Sequence, residues 1–120
     1  MKKRKRKISK AKLARRERKG KDKAWREAVL ARDKLCIICG SGFMTNIHHI
    51  IPREVKEFRH DVENGAALCP RHHRFSRECS PHRNSFVFML WLKDHRPEQF
   101  LHIEMKLESL NMLPWLIKKT

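Results

Sequence analysis

A chain of 120 residues makes one small domain, and its longest strongly apolar run, Phe86 to Leu92, is too short to span a bilayer. The formal net charge of +16 is concentrated at the front: residues 1–23 hold 14 of the 29 Lys and Arg against two acids, Glu17 and Asp22. Such a basic arm fits a phosphate-bearing partner rather than a membrane, because after Met1 only Ile8, Leu13 and two alanines are clearly apolar there. No apolar segment follows the basic start as in a secretory signal, so a soluble cytoplasmic protein is expected.

Taken in chain order, residues 1–21 read as a flexible basic arm, disordered or nascent helix in isolation, that orders on nucleic acid, with Gly20 ending the run of charge. Asp22 then caps a helix reaching Arg32, whose face carries Trp25, Val29 and Leu30. Lys34 leads into a C-x-x-C-Gly knuckle in which Gly40 and Gly42 permit tight turns. A strand is expected over Asn46–Ile51, ended by Pro52, then a charged loop from Arg53 to Gly65 and a second strand at Ala66–Leu68. Pro70, at the first position of a helix, starts a segment predicted to run through Arg77. After a turn at Cys79–Arg83, Asn84 or Ser85 caps a helix containing Phe86, Phe88, Met89, Leu90, Trp91 and Leu92. His95-Arg96-Pro97-Glu98 restarts the chain, Phe100, Ile103, Leu107 and Leu110 form a helical apolar stripe, and Pro114 breaks the chain near its end. The whole is α+β: an arm over 1–21, then a domain over 22–120 with its core at about 34–77 and C-terminal helices at about 84–112.

Cys36, Cys39, Cys69 and His72 supply a Cys₃His set from two knuckles, the tetrahedral donor set of a structural Zn²⁺. Buried free cysteines are the competing reading, but paired spacing on both sides argues for a metal, and in a reducing cytosol for a metal over a disulfide. Cys79 is an alternative to His72 as the fourth ligand.

Two histidine pairs pose a directional problem. His48 and His49 on a strand point to opposite faces, and His72 and His73 on a helix diverge by about 100°. One metal ligand on the strand, one on the helix and one unligated imidazole suit metal-assisted phosphodiester hydrolysis, the imidazole taking a proton from water.

The series Cys36-x-x-Cys39-Gly40, His48-His49-Ile50-Ile51-Pro52, Asn64 and Leu68-Cys69-Pro70-x-His72-His73 resembles the HNH endonucleases, a ββα-metal (His-Me) finger family. The resemblance spans residues 25 to about 75, the helix with Trp25, Val29, Leu30, Arg32 and Asp33 resembling the zinc-stapled members, while the C-terminal part is similar to small phage or prophage nucleases. It implies His49 as general base, Asn64 as the residue tying the hairpin loop, and His48 and His73 as ligands of one catalytic divalent ion: Mg²⁺, Mn²⁺, Ni²⁺ or Zn²⁺. It also implies DNA as substrate, nicked or cut through both strands to a 5′-phosphate and a 3′-hydroxyl, in a bacterial or phage-infected cell. The sequence departs from the family where many relatives carry a third ligand one turn after the last His; here that residue is Arg77, so either waters and phosphate oxygens complete the shell of the two histidines or His82 reaches in.

Arg53, Arg71, Arg74 and Arg77 are candidate phosphate contacts, the last three spaced along one drifting helical face. His60, His82, His95 and His102 otherwise read as surface or internally satisfied histidines. With no tyrosine, base stacking of single strands is not indicated. A non-catalytic zinc module that binds DNA or RNA is the alternative to an enzyme, and oligomeric state is left open.

Overall fold

The computed structural model describes residues 2–113, so Pro114 lies outside the described residues. Helix α1 runs from Lys10 to Asp33, 24 residues, capped by the Ser9 hydroxyl accepting from the Lys12 amide. The helix therefore begins well before Asp22 and passes straight through Gly20, where an added Cβ would meet nothing within 4 Å. Asp22 is not a cap. Its carboxylate takes two hydrogen bonds from Arg59, each of 2.9 Å, and one from His60 Nε2 at 2.7 Å. These long-range partners hold the carboxyl well below its ordinary range, the Arg59 bond foremost. Trp25 and Val29 are buried as the face predicts, but Leu30 is exposed.

Strands β1 (Asn46–His49) and β2 (Gly65–Leu68) pair antiparallel, with His48 opposite Ala66 and His49 opposite Gly65. β1 stops two residues short of Ile51, and the long connection is not a bare loop: it holds α2 (Lys56–Arg59) and a tight turn at Val62–Asn64. Phe58 on α2 is buried and anchors that excursion. β2 is buried along its whole length under α1. A Cβ on Gly65 would collide with the side chains of Val29 and Trp25, so glycine is what lets α1 approach the strand.

After β2 the chain makes one wide helical turn, Arg71–Phe75, closed by the Ser76 amide donating to the Arg71 carbonyl at 2.7 Å. Ser76 is extended and its hydroxyl accepts from the Glu78 and Cys79 amides, so the predicted helix through Arg77 ends two residues early, at Phe75. Helix α3 (Ser85–His95) is capped by Asn84, whose side chain accepts from the Val87 amide. Helix α4 (Pro97–Ser109) starts on Pro97 and buries Ile103 and Gln99. Two helices pack over one side of a two-stranded α+β core with α1 on another, the expected zinc-stapled ββα finger with flanking helices.

Three elements meet at Asp33. Its fully buried carboxylate accepts from Arg32 (2.8 and 3.0 Å), from the Ala67 amide of β2 (2.9 Å) and from Arg96 before α4 (3.0 and 3.1 Å). Burial pushes this acid up, but the hydrogen bonds from Arg32 and Ala67 and the two guanidinium charges outweigh it and hold the group ionised. Removing the carboxylate leaves two half-buried guanidinium groups and an amide unpaired, so Asp33→Ala should cost about 2–4 kcal/mol of unfolding free energy in urea titrations. A loss under about 1 kcal/mol would show that the junction does not hold the three elements together.

Candidate metal centres and cleft

Two metal-ligand clusters share one turn of helix. In the first, Cys39 Sγ lies 3.6 Å from Cys69 Sγ, while His72 Nδ1 lies 3.2 Å from Cys69 Sγ and 3.9 Å from Cys36 Sγ. These four atoms all fall within 4.8 Å of one another. The separations suit the edges of a tetrahedron built on bonds of about 2.0–2.3 Å, as for zinc with sulfur and nitrogen donors. The local turn is set by Gly40 in left-handed conformation (φ 75°) and by its amide donating to the Cys36 carbonyl at 2.8 Å. Burial raises the Cys36 thiol, but the backbone amides of Cys69, Cys39 and Ile38 overcome this and hold it below the ordinary range. Cys39 is displaced the other way, by burial and by its two sulfur neighbours. Sulfurs this close resist ionising together without a cation between them, so the donor chemistry fits a bound zinc. His72, and not Cys79, completes the set; Cys79 packs against the apolar cluster of Cys36, Leu68, Cys69 and Phe88.

The second cluster is all imidazole. His73 Nε2 lies 3.2 Å from His48 Nδ1 and 3.0 Å from His82 Nε2. The rings meet edge to face, with centroids 4.5–5.1 Å apart. Bonds of about 2.0–2.1 Å from three nitrogens to one ion need separations of about 3.0–3.4 Å, so the set fits a divalent metal. Burial pushes His48 down to about 3 and His73 to about 4, leaving both rings neutral with a lone pair to give. His82 is lowered too, mainly by burial.

Of the two ways left open to complete the shell, by waters and phosphate oxygens alone or by His82, the fold brings His82 to the other two rings, while Arg77, which has no lone pair to give a metal, is exposed. His82 is exposed, as the surface reading has it, and reaches the cluster from there. The Ser80 hydroxyl donates to the His73 carbonyl at 2.8 Å and folds the turn back, so that His82 meets His73 nine residues later. The other three are satisfied as read: His60 on Asp22, His102 on Asp61, and His95 donating to the Trp91 carbonyl while stacked on its ring.

His49 points to the opposite side of β1. Its ring stacks on Trp25, with centroids 3.8 Å apart and planes 8° from parallel. His49 Nε2 lies 3.0 Å from the Arg59 carbonyl, which can only accept, so this nitrogen carries the proton and Nδ1 is free. Burial lowers the ring below the usual histidine range, and the carbonyl bond opposes that shift. Trp25 is itself fixed by its indole N–H donating to the Asp61 carbonyl at 2.7 Å. The sequence marked Trp25 only as a core residue, and nothing in it marks a backbone carbonyl as a partner.

Asn64 is fully buried. Its side-chain oxygen accepts from the Ile51 amide (2.6 Å) and its nitrogen donates to the Ile51 and Phe58 carbonyls (2.9 and 3.1 Å), tying both arms of the β1–β2 connection. The three-histidine cluster and His49 line one cleft of about 530 Å³ with Arg53 and Arg74 at its rim. Arg71 and Arg77 line a different hollow with Phe75 and Glu78, so the four arginines do not share a face.

The HNH endonuclease family model matches residues 36–75, which takes in both cysteine pairs, His48, His49, Asn64, His72 and His73. No curated protein and no solved structure gives a significant match. His82, Trp25 and the α3–α4 pair lie outside the matched residues.

The geometry separates the two candidates for fourth zinc ligand. Cys79→Ser should retain one tightly held zinc per chain by elemental analysis, and Cys69→Ser should lose it along with a large part of the thermal stability. Equal zinc loss in both variants would contradict the assignment of His72.

Proposed function

We propose, from the HNH endonuclease match of residues 36–75, that the chain is a metal-dependent DNA endonuclease with His49 as general base. The observation that carries this reading is one cleft lined both by a three-imidazole ligand set and by a separately held fourth imidazole. Zinc in the Cys₃His set would serve the fold. A divalent ion held by His48, His73 and His82 would supply charge neutralisation at the scissile phosphate and its leaving oxygen.

The chain's own groups account for the remainder of the chemistry. With Nε2–H given to the Arg59 carbonyl, His49 keeps Nδ1 unprotonated to take a proton from the attacking water. Stacking on Trp25 fixes the plane of the ring, and the Asn64 hydrogen bonds hold the connection that carries Arg59. Arg53 and Arg74, exposed where they line the cleft, would receive neighbouring phosphates of the strand. A module that only binds nucleic acid has no use for a histidine held in one tautomer beside a neutral triad, which is why the enzyme reading is preferred.

With Mg²⁺, Mn²⁺ or Ni²⁺ supplied, the protein should nick or linearise supercoiled plasmid, and His49→Ala should lose about 10²–10⁴-fold in rate while keeping DNA affinity. Unchanged cutting by His49→Ala would reject it as the base. Absence of cutting with every divalent ion, alongside intact DNA binding, would favour the non-catalytic module.

A further inference from the structure

The N-terminal half of α1 projects from the domain with every residue from Lys10 to Lys21 exposed. Its charges are not spread evenly. At about 100° per residue, Lys12, Arg15, Arg16, Lys19, Lys23 and Arg26 fall within one sector about 100° wide. All six are exposed. The stripe sits about a quarter turn from the face that buries Trp25 and Val29, so it runs from the free half of the helix along the flank of the domain. Neither Glu17 nor Asp22 breaks it. Glu17 lies off the stripe and pairs with Lys21, also off it, while Asp22 is taken up by Arg59 and His60. Glu27 reaches Lys23 only at 4.0 Å, with both side chains exposed, and cancels little of its charge.

The direction of the stripe is set by the domain. Trp25, Val29 and the Asp22–Arg59 pair lock α1 onto the core, and the same Trp25 stacks on His49. A helix passing through Gly20 without a break carries that orientation outward. Fourteen steps of about 1.5 Å from Lys12 to Arg26 make the stripe about 21 Å long, the rise of about six base pairs of duplex. A helix of ordinary width also fits a major groove about 12 Å across.

We propose that this stripe of α1 is a rigid docking edge for double-stranded DNA flanking the cleaved bond, holding the duplex in register with the cleft. This rests on DNA being the substrate, but duplex binding is measured without cleavage, so the two readings fail separately. Single strands, lipid and diffuse charge are the alternatives that the measurement must reject.

The test compares two triple variants that remove equal charge from exposed helix positions. Arg15→Gln/Arg16→Gln/Lys19→Gln removes half of the stripe, and Lys10→Gln/Arg18→Gln/Lys21→Gln removes off-stripe charge. Binding of a 20-base-pair duplex is followed by fluorescence anisotropy across NaCl concentrations, using the full chain as purified with no divalent ion added. The stripe variant should reduce the slope of log affinity against log salt by about 2–3, and the off-stripe variant by less than about 1. Equal reductions would overturn the stripe in favour of diffuse charge. An equal stripe effect on a single strand of the same length would overturn the duplex assignment. A stripe effect confined to anionic phosphatidylserine vesicles would overturn DNA as its partner. If the duplex pattern holds and no divalent ion elicits cutting, the docking edge stands and the nuclease reading falls.

Discussion

Adjacent side chains on one turn of helix cannot aim at the same point, and the arrangement of this domain depends on that constraint. His72 turns toward the three cysteines and His73 toward His48 and His82, so a single turn serves two ligand sets without mixing them. The wide closure of that turn, from Ser76 back to Arg71, sets the spread between the two rings. The same divergence recurs on β1, where His48 joins the imidazole cluster and His49 goes to Trp25. One knuckle turn and one short strand thus supply five positioned side chains: His48, His49, Cys69, His72 and His73.

Rigidity is supplied from outside the turn. Cys36 and Cys39 reach across to Cys69 and His72 and close the intervening chain into a loop, while Asn64 ties that loop from within. Helix α1 holds it from above, through Gly65, Trp25 and the Asp33 junction. A small domain with a modest core gains most from such cross-links, because each fixes backbone that apolar burial alone would leave loose. The apolar cluster joins Leu68 and Phe88 to Cys36 and Cys69 themselves, so core packing helps to hold two of the four candidate ligands in place.

What could be read in the sequence was local. The two C-x-x-[CH] pairs, the alternation at His48-His49 and the Asn84 cap each depend on neighbours within four residues, and each is found in the fold. Features decided over long range were misread or missed. Asp22 has the chemistry of a cap, but Arg59 and His60 claim it from 37 and 38 residues away. Arg77 lay on the predicted helical face, yet the Ser76 hydroxyl ends that helix first. His82 gave no periodic signal, since its approach to His73 depends on a turn held by Ser80. The stacking of Trp25 on His49 was hidden because an aromatic on a buried helix face already has a sufficient reason to be there.

Cobalt titration of the metal-free protein tests the division of the two histidines most directly, because only a thiolate site gives the intense sulfur-to-cobalt absorption. This band should saturate at one equivalent in the wild type and in His73→Ala. A second equivalent should bind without adding to the band in the wild type, and should fail to bind in His73→Ala. A thiolate band lost in His73→Ala but kept in His72→Ala, or saturation of all binding at one equivalent in the wild type, would contradict that division.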